Sequence, residues 1–249
     1  MSRHLKLQAY LGLAEEIQTL GEHIINQVRQ RIQKGSQSQS FRERVLIGSA
    51  LKMYDSFEAL SEDARQRRSG AMHHLKTVIE TFIWVYWVAQ DAGETRARLL
   101  FAKGIEETLR FHERNQKYAK GDDVERWQEA LNEATQGLET EWRHFKKREA
   151  TVEKAAAAVK PNLPEWYDRV YRLACEPAHL TDLVEYMPSP HHPIHLGGTP
   201  LSPRWAVIAL DYGLFVILQL LRSASASYAL RLEQTIAELQ ERQAAIRVG

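Results

Sequence analysis

Apolar side chains recur three or four positions apart along nearly the whole chain, and no stretch shows sustained alternation. That spacing belongs to helices buried along one face, whereas half-buried strands alternate. Leu7, Tyr10, Leu11, Ala14, Ile17, Ile24, Val28 and Ile32 form one such stripe. The pattern predicts an all-α fold, a helical bundle of about six or seven helices with one long polar helix and one long loop. It reads as a single domain over 1–249, with its core at about 41–221. An N-terminal helix at 4–34 and a C-terminal helical tail at 222–246 would pack on that core or on a partner.

Local signals place the boundaries. A second helix runs from about Phe41 to Leu60, and Ser61 is a plausible N-cap for a third, from about Glu62 to Ala92, closed by Gly93. The fourth spans about Glu94 to Lys120. Asp122 or Asp123 can cap a fifth that reaches about Val159. This fifth element is so polar that it lies on the surface or projects as an arm. Pro161 and Pro164 precede a short helix at about 165–176. The stretch Pro188–Pro203, rich in Pro, His and Gly, is the long loop. Ser202 caps and Pro203 opens a final long helix, whose tail from Leu230 to Ile246 is amphipathic.

Composition narrows the function classes. The chain is 44% hydrophobic and 26% charged, enough apolar material for a core. Its 33 Lys and Arg balance 32 Asp and Glu, which counts against a dedicated nucleic-acid binder. Arg65, Arg67 and Arg68, and Lys146, Lys147 and Arg148, read as solvated helix faces. The single Cys175 excludes an internal disulfide and a multi-cysteine zinc site. The first residues lead straight into an amphipathic pattern without a signal-peptide apolar run. Val78–Ala89 is too short to span a bilayer, and Trp205–Leu221 carries Asp211 in its middle. The expectation is a cytoplasmic protein with no membrane span.

Three polar clusters invite a chemical reading, each beside a plain structural one. Tyr171, Cys175 and His179 are spaced by four, and Arg172 and His179 by seven, so a continuous helix would align them; Pro177 kinks or ends it. An Arg and a His facing one pocket can hold a phosphate and move a proton. The alternative is a helix end whose His bonds a neighbour. His73, Lys76, Thr77 and Glu80 share a second face that runs on into Trp84 and Trp87, which implies partly buried charges that need partners. They either form a site or neutralise each other. Asp211 also needs a partner, and Lys76, Arg172 or His179 could supply it. The third cluster is His191, His192 and His195 in the long loop. It lacks a further ligand, and Pro193 restricts the rings, so no metal and no cofactor is expected.

The segments Lys76–Glu80 and Tyr171–Thr181 resemble the two signatures of a bacterial, all-helical family, the domain of unknown function 5677 family. Its first signature is Arg-Ser, two apolar residues and Glu; its second is Tyr, Ser and His at four-residue steps. Glu80, Tyr171 and His179 match, whereas Lys76, Thr77 and Cys175 replace the Arg and the two Ser. The resemblance spans roughly Phe41 to Leu221. The six residues between Arg172 and His179 are also similar to the Arg–His signature of HEPN domains, helical bundles many of which are metal-independent endoribonucleases in defence and toxin systems. That likeness implies RNA as substrate and a homodimer or other homo-oligomer, since the Arg–His pairs of two subunits meet at an interface. It implies Arg172 and His179 as catalytic, with Lys76, Glu80 and Tyr171 supporting. The rival reading is a non-catalytic helical protein that oligomerises through its long fifth helix and its tail.

Overall fold

The structure is a computed structural model that describes residues 2–34, 40–114, 121–160, 163, 165–175 and 201–249. It is 86% helical, and the described residues contain no strand, so the all-α expectation holds. The helices are α1 (Arg3–Lys34), α2 (Phe41–Arg65), α3 (Gly70–Ala89), α4 (Thr95–Arg114), α5 (Gly121–Thr135), α6 (Glu139–Arg148) and α7 (Val152–Ala158). A π-helical turn, Trp166–Tyr171, leads into α8 (Arg172–Cys175), followed by α9 (Pro203–Ser227) and α10 (Glu233–Val248). Tertiary contacts divide the chain into two compact units.

The first unit comprises Met1–Gln37, Ala50–Phe82 and Glu165–Gly249. Within it α1 packs against α9 and α10, and α9 packs against α10. Tyr10, Ile17, Met53, Phe57, Leu60, Met72, Leu75, Ile79, Leu214 and Ile217 are all buried here. Close approach selects Gly21: a Cβ there would run into the Tyr54 ring, whose hydroxyl donates to the Gln18 carbonyl at 2.6 Å. Ser202 caps α9 as expected, accepting from the Trp205 N–H at 3.4 Å, with Pro203 in the first turn. By length and apolarity α9 is the one described helix that could cross a bilayer. Its packing on two other helices, and the charged Asp211 it carries, are the features of a core helix.

Two helix breaks fall away from their expected places in this unit. Ser61 does not cap a new helix. It lies inside α2, and its hydroxyl donates to the Phe57 carbonyl one turn back at 2.9 Å. The break comes at Arg67, whose φ of 55° closes α2: Arg68 N–H bonds the Asp63 carbonyl and Arg67 N–H bonds the Ala64 carbonyl. The final helix likewise stops at Ser227, with Ala229 at φ 48° and Leu230 N–H on the Ser225 carbonyl, before α10 begins. Both are left-handed helix ends without the usual glycine.

The second unit comprises Ser38–Ser49 and Ile83–Pro164. Here the expected long polar helix is three helices. Gly137 (φ 72°) separates α5 from α6, and Thr151 caps α7 by accepting from the Lys154 N–H. Arg98 of α4 holds the first break in place. Its guanidinium donates to the carbonyls of Ala134, Glu133 and Gln136, satisfying the open end of α5. The chain therefore folds back rather than projecting. Trp142 and Phe145 are buried, with Phe145 stacked on Trp87 at 5.5 Å and on Trp142 at 6.1 Å.

Candidate functional site

The second sequence motif begins in a π-helical turn. Arg172 N–H reaches the Tyr167 carbonyl, five residues back instead of four. Such turns are rare in helices and are found disproportionately at functional sites. Trp166 anchors this one: its ring stacks on Phe215 at 5.0 Å, meets Tyr212 edge-on at 5.9 Å and lies 5.7 Å from Phe82. Val170 and Ala174 are buried beneath the segment. With those three positions committed inward, Tyr167, Tyr171 and Cys175 line a half-buried side, and Arg169 and Arg172 face solvent.

The first motif meets this half-buried side. Lys76 and Glu80, one turn apart on α3, are themselves half-buried. The Lys76 ammonium lies 5.9 Å from the centre of the Tyr171 ring, within cation–π range. Tyr171 is stacked on Tyr167 at 5.3 Å with ring planes 20° apart. Two segments about ninety residues apart in sequence thus bring Lys76, Glu80, Tyr171 and Cys175 into one cluster.

A family model described as a family of unknown function (DUF5677) matches residues 43–187, more than half of the chain. The chain belongs to this family. The matched stretch contains both motifs. Comparison with curated proteins and with solved structures gives no match.

In this DUF5677 protein the cluster is electrostatically coupled. Burial pushes the Tyr171 hydroxyl well above its ordinary pKa, and the neighbouring Glu80 carboxylate and Cys175 add to the shift. The Cys175 thiol is also raised, mainly by burial; Lys76 and the Tyr171 hydroxyl oppose this, and Glu80 adds to it. One ammonium and one carboxylate therefore bracket a phenol and a thiol that both stay protonated near neutral pH. That arrangement can accept an anion at Lys76, but it offers no activated thiolate.

Of the other candidate residues, Arg172 and His73 stand at the surface. Arg172 is exposed and forms a loose ion pair with Asp168 at 3.7 Å. His73 is exposed, and Thr77 donates to the His73 carbonyl of its own helix. His179, His191, His192 and His195 lie outside the described residues. Among the described residues no group of His, Cys, Asp or Glu is placed to hold a metal ion.

Asp211 is paired neither with Lys76 nor with Arg172, and His179, the third partner proposed from sequence, lies outside the described residues. Its carboxylate accepts from the Tyr10 hydroxyl at 2.9 Å, from Gln243 at 3.2 Å and from the Arg247 guanidinium at 3.0 Å. The reason is orientation: Asp211 faces α1 and α10, and Gln243 and Arg247 sit one turn apart on α10. That i, i+4 pair was visible in the sequence, but its target was not. Tyr167 was also missed as a site neighbour, although its four-residue spacing from Tyr171 puts the two rings on one face.

Proposed function

We propose that this protein is a cytoplasmic, metal-independent endoribonuclease that acts as a homodimer or other homo-oligomer. The observation that carries the reading is Arg172 itself: it directly follows Tyr171 at the end of the π-helical turn, and its side chain is exposed and tied only loosely to Asp168, at 3.7 Å. Arg172 meets the exposed Asp168 only at 3.7 Å, and the half-buried Asp211 is held by Tyr10, Gln243 and Arg247. The Arg–His spacing that resembles HEPN nucleases supplies the reaction class.

In that reaction a ribose 2′-hydroxyl attacks its own phosphorus, a bond forms between them, and the bond from phosphorus to the 5′-oxygen breaks. His179 takes the proton from the 2′-hydroxyl and returns it to the departing 5′-oxygen. Arg172 stabilises the negative charge that builds on the phosphate oxygens, a role suited to a planar, always-charged donor. Lys76, whose ammonium lies over the Tyr171 ring, would add a second cation. A net charge of +1 implies weak capture of RNA by one copy, and association of two copies doubles the basic groups near a substrate.

A non-catalytic interaction protein is the weaker reading. It relied on a long fifth helix and an amphipathic tail; the fifth-helix stretch is three helices with Trp142 and Phe145 buried, and the tail helix α10 packs on α1 and α9. The decisive experiment incubates purified protein with a mixed-sequence RNA in excess chelator. Cleavage lost in Arg172→Ala and in His179→Ala supports the reading, and equal cleavage in the double variant ends it.

A further inference from the structure

We infer that Glu80 reads the base-pairing edge of an unpaired guanine, so that the protein cleaves RNA at exposed guanosines. The inference rests on the nuclease reading above and adds the specificity of its site. Glu80 is half-buried on α3, neither sealed in the core nor fully hydrated. Among the described residues it forms no ion pair and no hydrogen bond. Two other half-buried carboxylates of the same unit are committed: Asp63 meets His74 at 3.5 Å and Arg68 at 3.8 Å, and Asp211 meets Arg247 at 3.0 Å. Lys76 stands one turn before Glu80, yet its ammonium is placed over the Tyr171 ring and makes no ion pair with the carboxylate. The Tyr171 hydroxyl and the Cys175 thiol feel the Glu80 charge but stay protonated near neutral pH, so neither cancels it. A half-buried carboxylate left in this state calls for N–H donors from a ligand.

A carboxylate only accepts, and its two oxygens match two adjacent N–H donors. Among the four RNA bases guanine alone offers that pair on its pairing edge, N1–H beside the N2 amine. Adenine and cytosine set one amine beside a lone pair, which a carboxylate repels, and uracil sets one N–H between two carbonyl oxygens. A duplex occupies this edge, so only an unpaired guanine can be read there. An arginine side chain of a partner protein also carries two parallel N–H donors. It would bring a full positive charge within one helical turn of Lys76, whereas a neutral base brings none and its phosphate is attracted by that ammonium.

The test titrates the 3′-monophosphates of guanosine, inosine, adenosine, cytidine and uridine into the full chain by calorimetry, so that binding is read without turnover. Inosine keeps N1–H and lacks the N2 amine, and Glu80→Gln exchanges the carboxylate for an amide of the same size. The expected result is guanosine monophosphate bound about tenfold to a hundredfold more tightly than the adenosine, cytidine and uridine nucleotides, with inosine between them. Glu80→Gln should bind all five about equally; should that variant not fold, the wild-type ranking with inosine decides alone. Equal affinities in the wild type, no binding of any nucleotide, or a guanosine preference kept by Glu80→Gln overturns the inference. Binding of arginine amide in place of guanosine monophosphate overturns it in favour of a protein partner. If chelator-resistant cleavage at all four bases persists under those outcomes, the specificity fails and the nuclease reading stands. Glu80-dependent binding of guanosine monophosphate without RNA cleavage by the wild-type chain leaves the guanine site and removes the nuclease.

Discussion

The Tyr10 hydroxyl donates a 2.9 Å hydrogen bond to Asp211, joining residues 201 positions apart in the chain. Tyr10 is 1% exposed and its hydroxyl depends on that carboxylate, whereas Gln243 also donates to the Asp211 carbonyl at 2.6 Å. Asp211→Ala should therefore destabilise the protein by about 2–4 kcal/mol, because it orphans the buried Tyr10 hydroxyl and strips Arg247 of its partner. Tyr10→Phe should cost about 1 kcal/mol, since it removes one hydrogen bond and leaves the ring in place. Urea unfolding checks both. A loss below about 0.5 kcal/mol in Asp211→Ala would show that the network does not hold α10 to α1 and α9.

The contrast between these helices and their connections shows what the sequence carries. Periodicity located α1 and the opening of α9 to within a residue or so, because burial of one face imposes a repeat that survives in any helix. The breaks at Arg67 and Ala229 left no trace. A left-handed helix end normally calls for glycine, and here neighbouring hydrogen bonds impose it on ordinary residues. Gly137 was readable as a stop, yet the Arg98 guanidinium that stabilises the break lies on another helix. The same division applies to the site. Lys76, Glu80 and Tyr171 were legible as polar residues needing company. The π turn that aims Tyr167 and Arg172 depends on Trp166 meeting α3 and α9, a tertiary fact.

Glu58 gives a pH dependence of unusual sign. Burial, Asp55 on the same helix and Glu22 on α1 all raise its pKa, against a smaller opposing bond from Tyr54. A carboxyl whose folded pKa is raised contributes stability in acid and loses it as pH climbs through the folded pKa. Glu58→Gln should thus stabilise at neutral pH by about 0.2–0.5 kcal/mol, the scale of one like-charge pair relieved. Below the carboxylate range, where wild-type Glu58 is protonated, the two proteins should melt together. Thermal unfolding at neutral pH and below the carboxylate range reads this directly, and a variant that melts lower at neutral pH would refute it.

Cys175 reports on the cluster without reference to activity. Its raised pKa predicts slow alkylation by iodoacetamide at neutral pH, with a rate that keeps rising well into alkaline solution. Lys76 lowers that pKa and Glu80 raises it, so the two variants should move the profile in opposite directions. Lys76→Met should shift the alkylation midpoint upward, and Glu80→Gln should shift it downward. Identical profiles in both variants would mean that the thiol does not sense α3, and the cluster would lose its electrostatic basis.

Asp168 tests whether Arg172 is free to act. The pair is 3.7 Å apart with side chains 68% and 59% exposed, a geometry that contributes little to stability. Asp168→Asn should leave the unfolding free energy within about 0.5 kcal/mol of wild type. If Arg172 stabilises the phosphate, removing its competing carboxylate should preserve or increase chelator-resistant RNA cleavage. Arg172→Ala should reduce cleavage by about 10²–10³-fold at unchanged stability, the loss typical for one donor aimed at developing negative charge. Arg172→Lys keeps the charge but not the planar two-pronged donor, so it should recover only part of that loss. Cleavage reduced to the same extent by Asp168→Asn and Arg172→Ala would point instead to the ion pair as a local scaffold, with Arg172 acting on the helix and not on the substrate.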